Sequence, residues 1–342
     1  MSRSSWQHFI IRSAAVFTAA FSILTVCQSG AFAQAAAPVK LRIASTRVFT
    51  YAPLLLAKEL GYFQAEGLDV DMLETQSGVA TASALLGGSV VAAGSGYIQP
   101  LQLAEQGKSL KTLSGIEMAS IYVFVASPKM NISTDNPAAM AAALKGKRFG
   151  VASLGSTGDV IAQGVLAEQG LSSKDVTYVA IGTGATALAA LKTGAVDAII
   201  TYEPDLATVL ESGAGKIVLD LRKTKTEKTY SRLPTTTLQA TSEWIDKNPE
   251  IAAKIVRAVA RANKTLREDA ATSLGALVKI YPTVPKATLE SIYEASRGNF
   301  QSQVAEDQFK FAQDLYLKTN QVKKAVPYAS VVATQFRQYW NP

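Results

Sequence analysis

Histidine and cysteine are almost absent from the chain. Its 342 residues include one of each, His8 and Cys27, and both lie in an N-terminal segment that we predict to be removed. A mature chain without them cannot form a Ser-His-Asp triad, a cysteine nucleophile, a disulfide or a His/Cys zinc site. We therefore expect no metal and no cofactor, and any catalytic chemistry would fall to carboxylates, Lys, Tyr and Arg.

Long apolar runs are absent as well. The N-terminal run "AAVFTAAFSILTV" is shorter than the about 20 residues that span a bilayer. It follows Arg3 and Arg12 and precedes an A-x-A sequence, which is the layout of a secretory signal peptide. We predict a signal peptide over 1–33, cleaved after Ala33, and a periplasmic protein. Lipoprotein processing at Cys27 is the alternative, although the residue before it is bulkier than such sites usually have.

A basic surface of the kind that binds nucleic acid is also missing. The formal charge is +7 and falls to +5 (7 − 2) once Arg3 and Arg12 are removed. The remaining Lys and Arg are scattered, and no aromatic-rich stripe accompanies them, so we expect no binding of nucleic acid. The positive excess could favour an anionic ligand or merely aid solubility.

One phrase occurs twice in the chain. "ALLGGSVVA" at 84–92 and "ALKTGAVDA" at 190–198 share five residues at a constant offset of 106 (190 − 84). Each copy ends a strand-helix-strand series that begins near 41–45 or near 148–153. The repeat predicts an α/β protein with two lobes, each a mainly parallel sheet flanked by helices.

The rest of the chain indicates how the lobes connect. We expect it to cross between them near 117–122 and again near 230–237. Four later segments have the i, i+3/i+4 apolar spacing of helices packed on a sheet: "EIAAKIVRAVARANKTLRE", "KATLESIYEA", "AEDQFKFAQDLYLKT" and "SVVATQFRQYW". We assign 38–119 and 236–342 to lobe 1 and 120–235 to lobe 2, joined by crossover strands.

Glycine, serine and threonine are concentrated where the predicted strands end. In open α/β sheets ligands lie beyond the carboxyl ends of strands, where helix N-termini offer N–H groups and a positive dipole end. A purely structural interpretation is also available, because Ser77 and Thr183 suit helix N-caps and Ser156 with Asp159 suits a capping box. Their recurrence at four strand ends favours a ligand site between the lobes.

Larger side chains accompany these loops. Arg47 could clamp an anion or be solvated, and Glu203 could pair with a ligand amine or with a neighbouring cation. Tyr202 could contact a ligand or close the edge of the core. The candidate ligand-binding residues are Thr46, Arg47, Tyr51, Ser77, Gly78 and Ser95 in lobe 1, and Ser156, Thr157, Thr183, Tyr202 and Glu203 in lobe 2.

Three parts of the chain carry a family resemblance. The stretch "LRIASTRVFTYAPLLLAKELGYFQAEGLDVDMLE", the repeated phrase and "TYEPD" resemble the periplasmic substrate-binding proteins of ABC importers for nitrate, aliphatic sulfonate and taurine. The resemblance implies a two-lobed type II periplasmic-binding-protein fold that closes on its solute and docks on an ABC permease in the inner membrane. Thiamine-pyrimidine synthases of the same fold branch use a histidine and a cysteine-rich iron motif, which the mature chain lacks.

We therefore expect a monomeric, extracytoplasmic solute-binding component of an ABC importer, not an enzyme. Its ligand would be a small organic anion such as a sulfonate, taurine or a carboxylate, because the loops carry more hydroxyl and aromatic groups than nitrate would fill. Two alternatives are a sensory module that reports occupancy to a membrane receptor, and an enzyme that uses Glu203, Asp205 or Asp159 as general acid or base.

Overall fold

The computed structural model describes residues 37–223, 230 and 233–342. The predicted signal peptide, its cleavage site and the alternative lipidation site lie outside these residues. Within them, no helix combines the length and the apolar character that a membrane crossing requires.

Ten strands and fourteen α-helices are described. The strands are β1 Val39–Ser45, β2 Leu68–Glu74, β3 Ala92–Gly96, β4 Leu110–Glu117, β5 Val123–Ala126, β6 Arg148–Val151, β7 Thr177–Ala180, β8 Ala198–Thr201, β9 Lys216–Asp220 and β10 Thr236–Thr241. The helices are α1 Ala52–Glu59, α2 Tyr62–Ala65, α3 Gly78–Leu86, α4 Gln99–Glu105, α5 Pro137–Leu144, α6 Thr157–Glu168, α7 Ala185–Lys192, α8 Asp205–Glu211, α9 Ser242–Lys247, α10 Pro249–Glu268, α11 Ala270–Ile280, α12 Lys286–Ser296, α13 Glu306–Lys318 and α14 Tyr328–Val331. Short 3₁₀ helices lie at Phe49–Tyr51, Arg297–Asn299 and Thr334–Tyr339.

Two five-stranded sheets of the same plan form the two lobes. Their strand orders are β2-β1-β3-β10-β4 and β7-β6-β8-β5-β9. In the first sheet β1 pairs in parallel with β2 and β3, whereas β10 is antiparallel to β3 and β4. In the second, β6 is parallel to β7 and β8, and β5 is antiparallel to β8 and β9. The predicted two-lobed α/β fold is confirmed.

Four strands of each sheet run in one direction, as a mainly parallel sheet requires, and the fifth runs against them because of the crossing chain. Residues 118–122 lead from β4 of the first sheet directly to β5, which lies between β8 and β9 in the second. Residues 233–235 lead back to β10, which lies between β3 and β4. Each sheet therefore contains one antiparallel strand that enters directly from a crossover rather than through a helix.

The repeated phrase corresponds to the same turn in both lobes. Gly88 follows α3 and Gly194 follows α7, and both have φ of +73°. A residue with a Cβ atom would be strained there, so glycine is favoured at both turns. Val90 and Val196 are buried just before the next strand. The repeat thus records a helix–turn–strand unit that each lobe uses once.

Two predicted helices have different bounds in the structure. The segment "APLLLAKELGYFQAEG", whose sequence we interpret as a single helix, forms α1 and α2 instead, because Gly61 adopts φ of +71° between them. The segment "SVVATQFRQYW" was predicted as a helix but is not one. It contains only the end of α14 and a 3₁₀ turn, because Val332 is extended and bridges to Thr112 at the edge of β4.

Candidate functional site

A narrow cavity, the cleft cavity, lies where the two lobes meet. Its volume is about 40 Å³, room for only a few water molecules. Of the described residues, those that line it are all uncharged: Thr46, Thr50, Tyr51, Gly78, Gly96, Gln99, Ile121, Tyr122, Ala152, Ser156, Thr157, Gly158, Ile200, Tyr202 and Thr236. They come from both lobes and from the first crossover, so a cavity lies between the lobes, where the sequence predicts a ligand site.

The lobes touch each other around this cavity. Gln99 Nε2 donates a hydrogen bond of 3.3 Å to the carbonyl oxygen of Gly155 in the other lobe. A second backbone contact joins Phe49 N to Glu203 O at 3.3 Å. Gly96 lies so close to Thr157 that a Cβ atom there would be 2.2 Å from Thr157 Oγ1. The structure therefore represents a closed arrangement of the lobes.

The first lobe contributes three of its predicted residues to the lining. Thr46 follows β1 and is 4% exposed, and its hydroxyl has no hydrogen-bond partner. Tyr51 and Gly78 also line the cavity. Behind them, Ser77 Oγ caps α3 by accepting from Ala80 N at 3.2 Å, and Ser95 Oγ donates to Gly78 O at 3.0 Å. The last two side chains position the loop rather than line the cavity.

Arg47 lies outside the cavity lining. Its Nε donates to Glu74 Oε2 at 2.7 Å and its Nη1 donates to Ile280 O at 2.9 Å. The side chain is 56% exposed. In this arrangement the guanidinium that the sequence suggested as an anion clamp is an ion-pair partner at the surface.

The second lobe contributes the N-terminus of α6. Ser156 Oγ accepts from Asp159 N at 3.3 Å, and Asp159 Oδ2 accepts from Gly155 N at 2.7 Å, so the predicted N-terminal capping is present. Ser156 and Thr157 nevertheless also line the cavity. The Thr157 hydroxyl is buried without a hydrogen-bond partner, like that of Thr46. Capping and cavity lining are therefore compatible in one loop.

Thr183, at the equivalent position to Ser77, does not line the cavity. Helix α7 is capped by Gly184, whose φ is +63° and whose N–H donates to Asp205 Oδ2 at 2.6 Å. The Thr183 carbonyl accepts from Thr186 Oγ1 at 2.9 Å. The N–H group at the start of α7 therefore donates to Asp205, an acceptor within the same lobe.

Three tyrosines surround one end of the cleft cavity. Tyr122 and Tyr202 pack edge to face with ring centroids 5.5 Å apart, and Tyr51 also lines the cavity. Burial raises the pKa of Tyr51, Tyr122 and Tyr202 above the ordinary tyrosine value. Their hydroxyls therefore stay protonated and can donate hydrogen bonds.

Sequence reasoning missed several lining residues. They are Thr50, Gly96, Gln99, Ile121, Tyr122, Ala152, Gly158, Ile200 and Thr236. Tyr122 belongs to the first crossover, and Thr236 begins the strand that returns from the second. The pairing of β5 between β8 and β9 places Tyr122, and the pairing of β10 between β3 and β4 places Thr236; no local pattern in the sequence indicates either pairing.

Glu203 belongs to a second, larger cavity, the crossover chamber. This chamber measures about 240 Å³ and is lined by Phe49, Thr50, Glu117, Ala119, Ser120, Ile121, Glu203, Arg222, Ala295, Ser296 and Asn299. Glu203 Oε1 accepts from Arg222 Nη1 at 3.2 Å, and its Oε2 accepts from Ala207 N at 3.1 Å. Burial raises the pKa of Glu203, and the neighbouring Arg222 partly offsets that rise.

The three carboxylates considered for acid-base catalysis all have local partners. Asp159 binds Gly155 N, Asp205 binds Gly184 N, and Glu203 binds Arg222. None of the three lines the cleft cavity as described. These contacts contribute to helix capping and loop geometry.

Comparisons with known proteins agree with this arrangement. A model of the NMT1-like family matches residues 34–296. The putative binding protein YtlA of Bacillus subtilis (strain 168) is 22% identical over 303 residues, which are 86% of this chain and 87% of YtlA.

Two solved structures have the same fold. The alkanesulfonate-binding protein SsuA from Xanthomonas axonopodis pv. citri, bound to MOPS, superposes with a TM-score of 0.72 at 22% identity, covering 87% of this chain and 99% of SsuA. The periplasmic nitrate-binding protein NrtA from Synechocystis PCC 6803 superposes with a TM-score of 0.69 at 18% identity, covering 88% of each chain. Both neighbours are named as binding proteins.

Proposed function

Because the chain belongs to the NMT1-like family, we propose that it is the extracytoplasmic solute-binding component of an ABC importer. It captures a small organic anion in the cleft cavity and delivers it to a permease. The named relatives support this proposal, since they are binding proteins and two of them bind alkanesulfonate or nitrate.

One observation carries the proposal. Thr46 and Thr157 come from opposite lobes, line the same cavity, and have buried hydroxyls without a partner. Leaving a buried hydroxyl unpaired costs about 1–3 kcal/mol. Closure without a ligand is therefore disfavoured, because opening returns both hydroxyls to water. A ligand that accepts hydrogen bonds from both lobes removes this cost and favours the closed state.

The anionic character of the ligand follows from the helix N-termini. Gly78 begins α3 and Thr157 begins α6, and both line the cavity. The positive end of a helix dipole and its N–H groups favour a negative group. Hydroxyl and N–H donors thus replace the cationic side chain that the sequence suggested.

A thermal-shift screen of the mature chain, residues 34–342, tests this function. The probes are propane-1-sulfonate, benzoate, nitrate and neutral propan-1-ol. A ligand at 100 times its Kd should add about 2.7 kcal/mol to the stability of the folded state. We expect an organic anion to raise the melting temperature, propan-1-ol to have no effect, and the solute to be recovered intact. No rise with any anion would contradict the proposal.

Thr157→Val provides the matching variant, because valine keeps the shape of threonine and removes the hydroxyl. Loss of a hydrogen bond to a charged group should weaken binding of the anion by about 1.5 kcal/mol, or roughly tenfold in Kd, as measured by calorimetry. Thr193→Val is the control, since Thr193 is exposed and bonds only within α7. Equal affinities for the two variants would show that the Thr157 hydroxyl does not reach the ligand.

A further inference from the structure

The crossover chamber adjoins the cleft cavity. Thr50 and Ile121 line both spaces. The chamber is about 240 Å³, compared with about 40 Å³ for the cleft cavity. The two spaces are therefore adjacent, and a solute that occupied both would pass Thr50 and Ile121.

The chamber contains the buried carboxylate of Glu117, whose charge is only partly neutralised by its neighbours. Glu117, at the end of β4, is 1% exposed. Its side chain accepts hydrogen bonds from Thr50 and, at 3.4 Å, from Asn299 Nδ2. Counting the described residues only, no Lys or Arg lies within 4 Å of it as an ion-pair partner. A buried carboxylate normally has a cationic partner, and here the adjoining space is open.

The one cation of the described lining is already engaged. Arg222 Nε and Nη2 donate to the two oxygens of Asp220 at 2.9 and 2.8 Å. Its Nη1 is 3.2 Å from Glu203 Oε1. Asp220 is 2% exposed and does not line the chamber. The lining of the chamber thus contains the two carboxylates of Glu117 and Glu203 and one guanidinium, that of Arg222. This guanidinium is already bonded to a third carboxylate, that of Asp220.

The two adjoining spaces favour opposite charges. The cleft cavity offers helix N-termini and hydroxyl donors, and the chamber offers carboxylates together with the hydroxyls of Ser120 and Ser296. An ammonium group has three donors and no acceptor, which matches such a lining. We propose that the crossover chamber is a subsite for an ammonium group, centred on Glu117, so that the solute is a zwitterion with its anionic end in the cleft cavity. This inference rests on the proposed function for the anionic end alone.

A pair of matched probes tests the subsite. Propane-1-sulfonate and 3-aminopropane-1-sulfonate differ by one ammonium group, and propylammonium chloride carries that group without the anion. In calorimetry with the mature chain, the amino group should improve affinity by roughly tenfold or more, as a charge-assisted hydrogen bond does. Propylammonium alone should also raise the melting temperature, whereas propan-1-ol should not.

Glu117→Gln is the decisive variant, because glutamine keeps the size of the side chain and removes its charge. We expect the affinity ratio between the amino sulfonate and the plain sulfonate to fall to about one. Glu243→Gln is the control, since Glu243 lies on α9 with 79% of its side chain exposed, and it should keep the ratio. Should Glu117→Gln fail to give a cooperative unfolding transition, Glu203→Gln takes its place with a reduced ratio expected.

The outcomes separate this subsite from the proposed function. If propane-1-sulfonate binds and the amino group adds nothing, or if its advantage survives in Glu117→Gln, the ammonium subsite is overturned while the anion site stands. If no sulfonate binds but propylammonium does so in a Glu117-dependent way, the subsite stands and the anion proposal falls.

Discussion

The cleft cavity and the crossover chamber lie side by side, but their linings differ in charge. The lining of the cleft cavity is uncharged, whereas the lining of the chamber holds two carboxylates and one guanidinium. The cleft cavity lies between the ends of strands and the first turns of α3 and α6, where backbone dipoles supply the electrostatics. The chamber lies beside the crossover at 118–122 and gathers Glu117, Glu203 and Arg222.

The difference has a physical consequence for closure. Neutral donors lose less hydration energy than ions when the lobes close over them. Hydroxyl and N–H groups therefore suit a site that is hydrated in the open state and buried in the closed state. Ions are better placed where partners already hold them, as Asp220 holds Arg222. The comparison predicts that the chamber responds to pH and that the cleft cavity does not.

The largest expected effect concerns Glu117. Burial raises its pKa to about 7 from an ordinary value of 4.5, although Thr50, Asn299 and Arg222 partly offset the rise. The folded state therefore binds this proton more tightly than the unfolded state. The resulting stability is fully present below about pH 4.5 and is lost as pH rises through about 7, a change of about 3 kcal/mol.

Urea unfolding of the ligand-free protein at about pH 5 and about pH 8 measures this change. The stability difference between wild type and Glu117→Gln should shift by about 2.5 kcal/mol between the two conditions. Tyr202→Phe, in the cleft cavity, should show no such shift, because its raised pKa lies far above this range. If the difference in unfolding free energy between wild type and Glu117→Gln were the same at both pH values, the charge assigned to Glu117 in the chamber would be wrong.

Gly96→Ala addresses the closed arrangement of the cleft cavity. The added methyl group would lie 2.2 Å from Thr157 Oγ1 of the other lobe, so the lobes cannot close to the same extent. Overpacking of this kind costs about 1–3 kcal/mol, and we expect a loss of anion affinity of that size in calorimetry. Gly275→Ala is the control, since no atom lies within 4 Å of a Cβ placed there. Equal affinities would mean that the ligand-bound state keeps Gly96 and Thr157 apart.

The repeat predicted the two lobes, but it did not predict how each loop is used. Ser77–Gly78 and Thr183–Gly184 occupy equivalent positions, 106 residues apart, and both lie at the start of a helix. Gly78 lines the cleft cavity, whereas the N–H of Gly184 is taken by Asp205, 21 residues further along the chain. A local pattern identifies a helix N-terminus, but it cannot identify a distant acceptor.

The positions of the charged candidate residues depend on their ion-pair partners, which the periodicity of the sequence does not identify. Glu203 pairs with Arg222, and Arg47 pairs with Glu74, at sequence separations of 19 and 27. The small residues Thr46, Gly78 and Thr157 line the cavity, because short side chains stay where the backbone puts them. Long charged side chains reach several ångströms, so tertiary structure decides where their ends lie.

Arg47→Ala has the smallest expected effect and is the sharpest test of an uncharged cleft. A charge-assisted contact to the ligand would be worth about 1.5–3 kcal/mol. The guanidinium is instead 56% exposed and bound to Glu74, and exposed pairs of this kind contribute about 0–1 kcal/mol to stability. We therefore expect anion affinity to change by less than about twofold in calorimetry.

Arg42→Ala is the matched control for that variant, because Arg42 lies on β1 shortly before Arg47, is 49% exposed and pairs with Asp71 at 2.8 Å. The two variants should bind the anion alike, since neither arginine lines the cleft cavity. A tenfold loss in Arg47→Ala alone would mean that Arg47 exchanges Glu74 for the ligand during capture. In that case the anion would be recognised by a cation in the open state, and the contrast between an uncharged cleft and a charged chamber would hold only after closure.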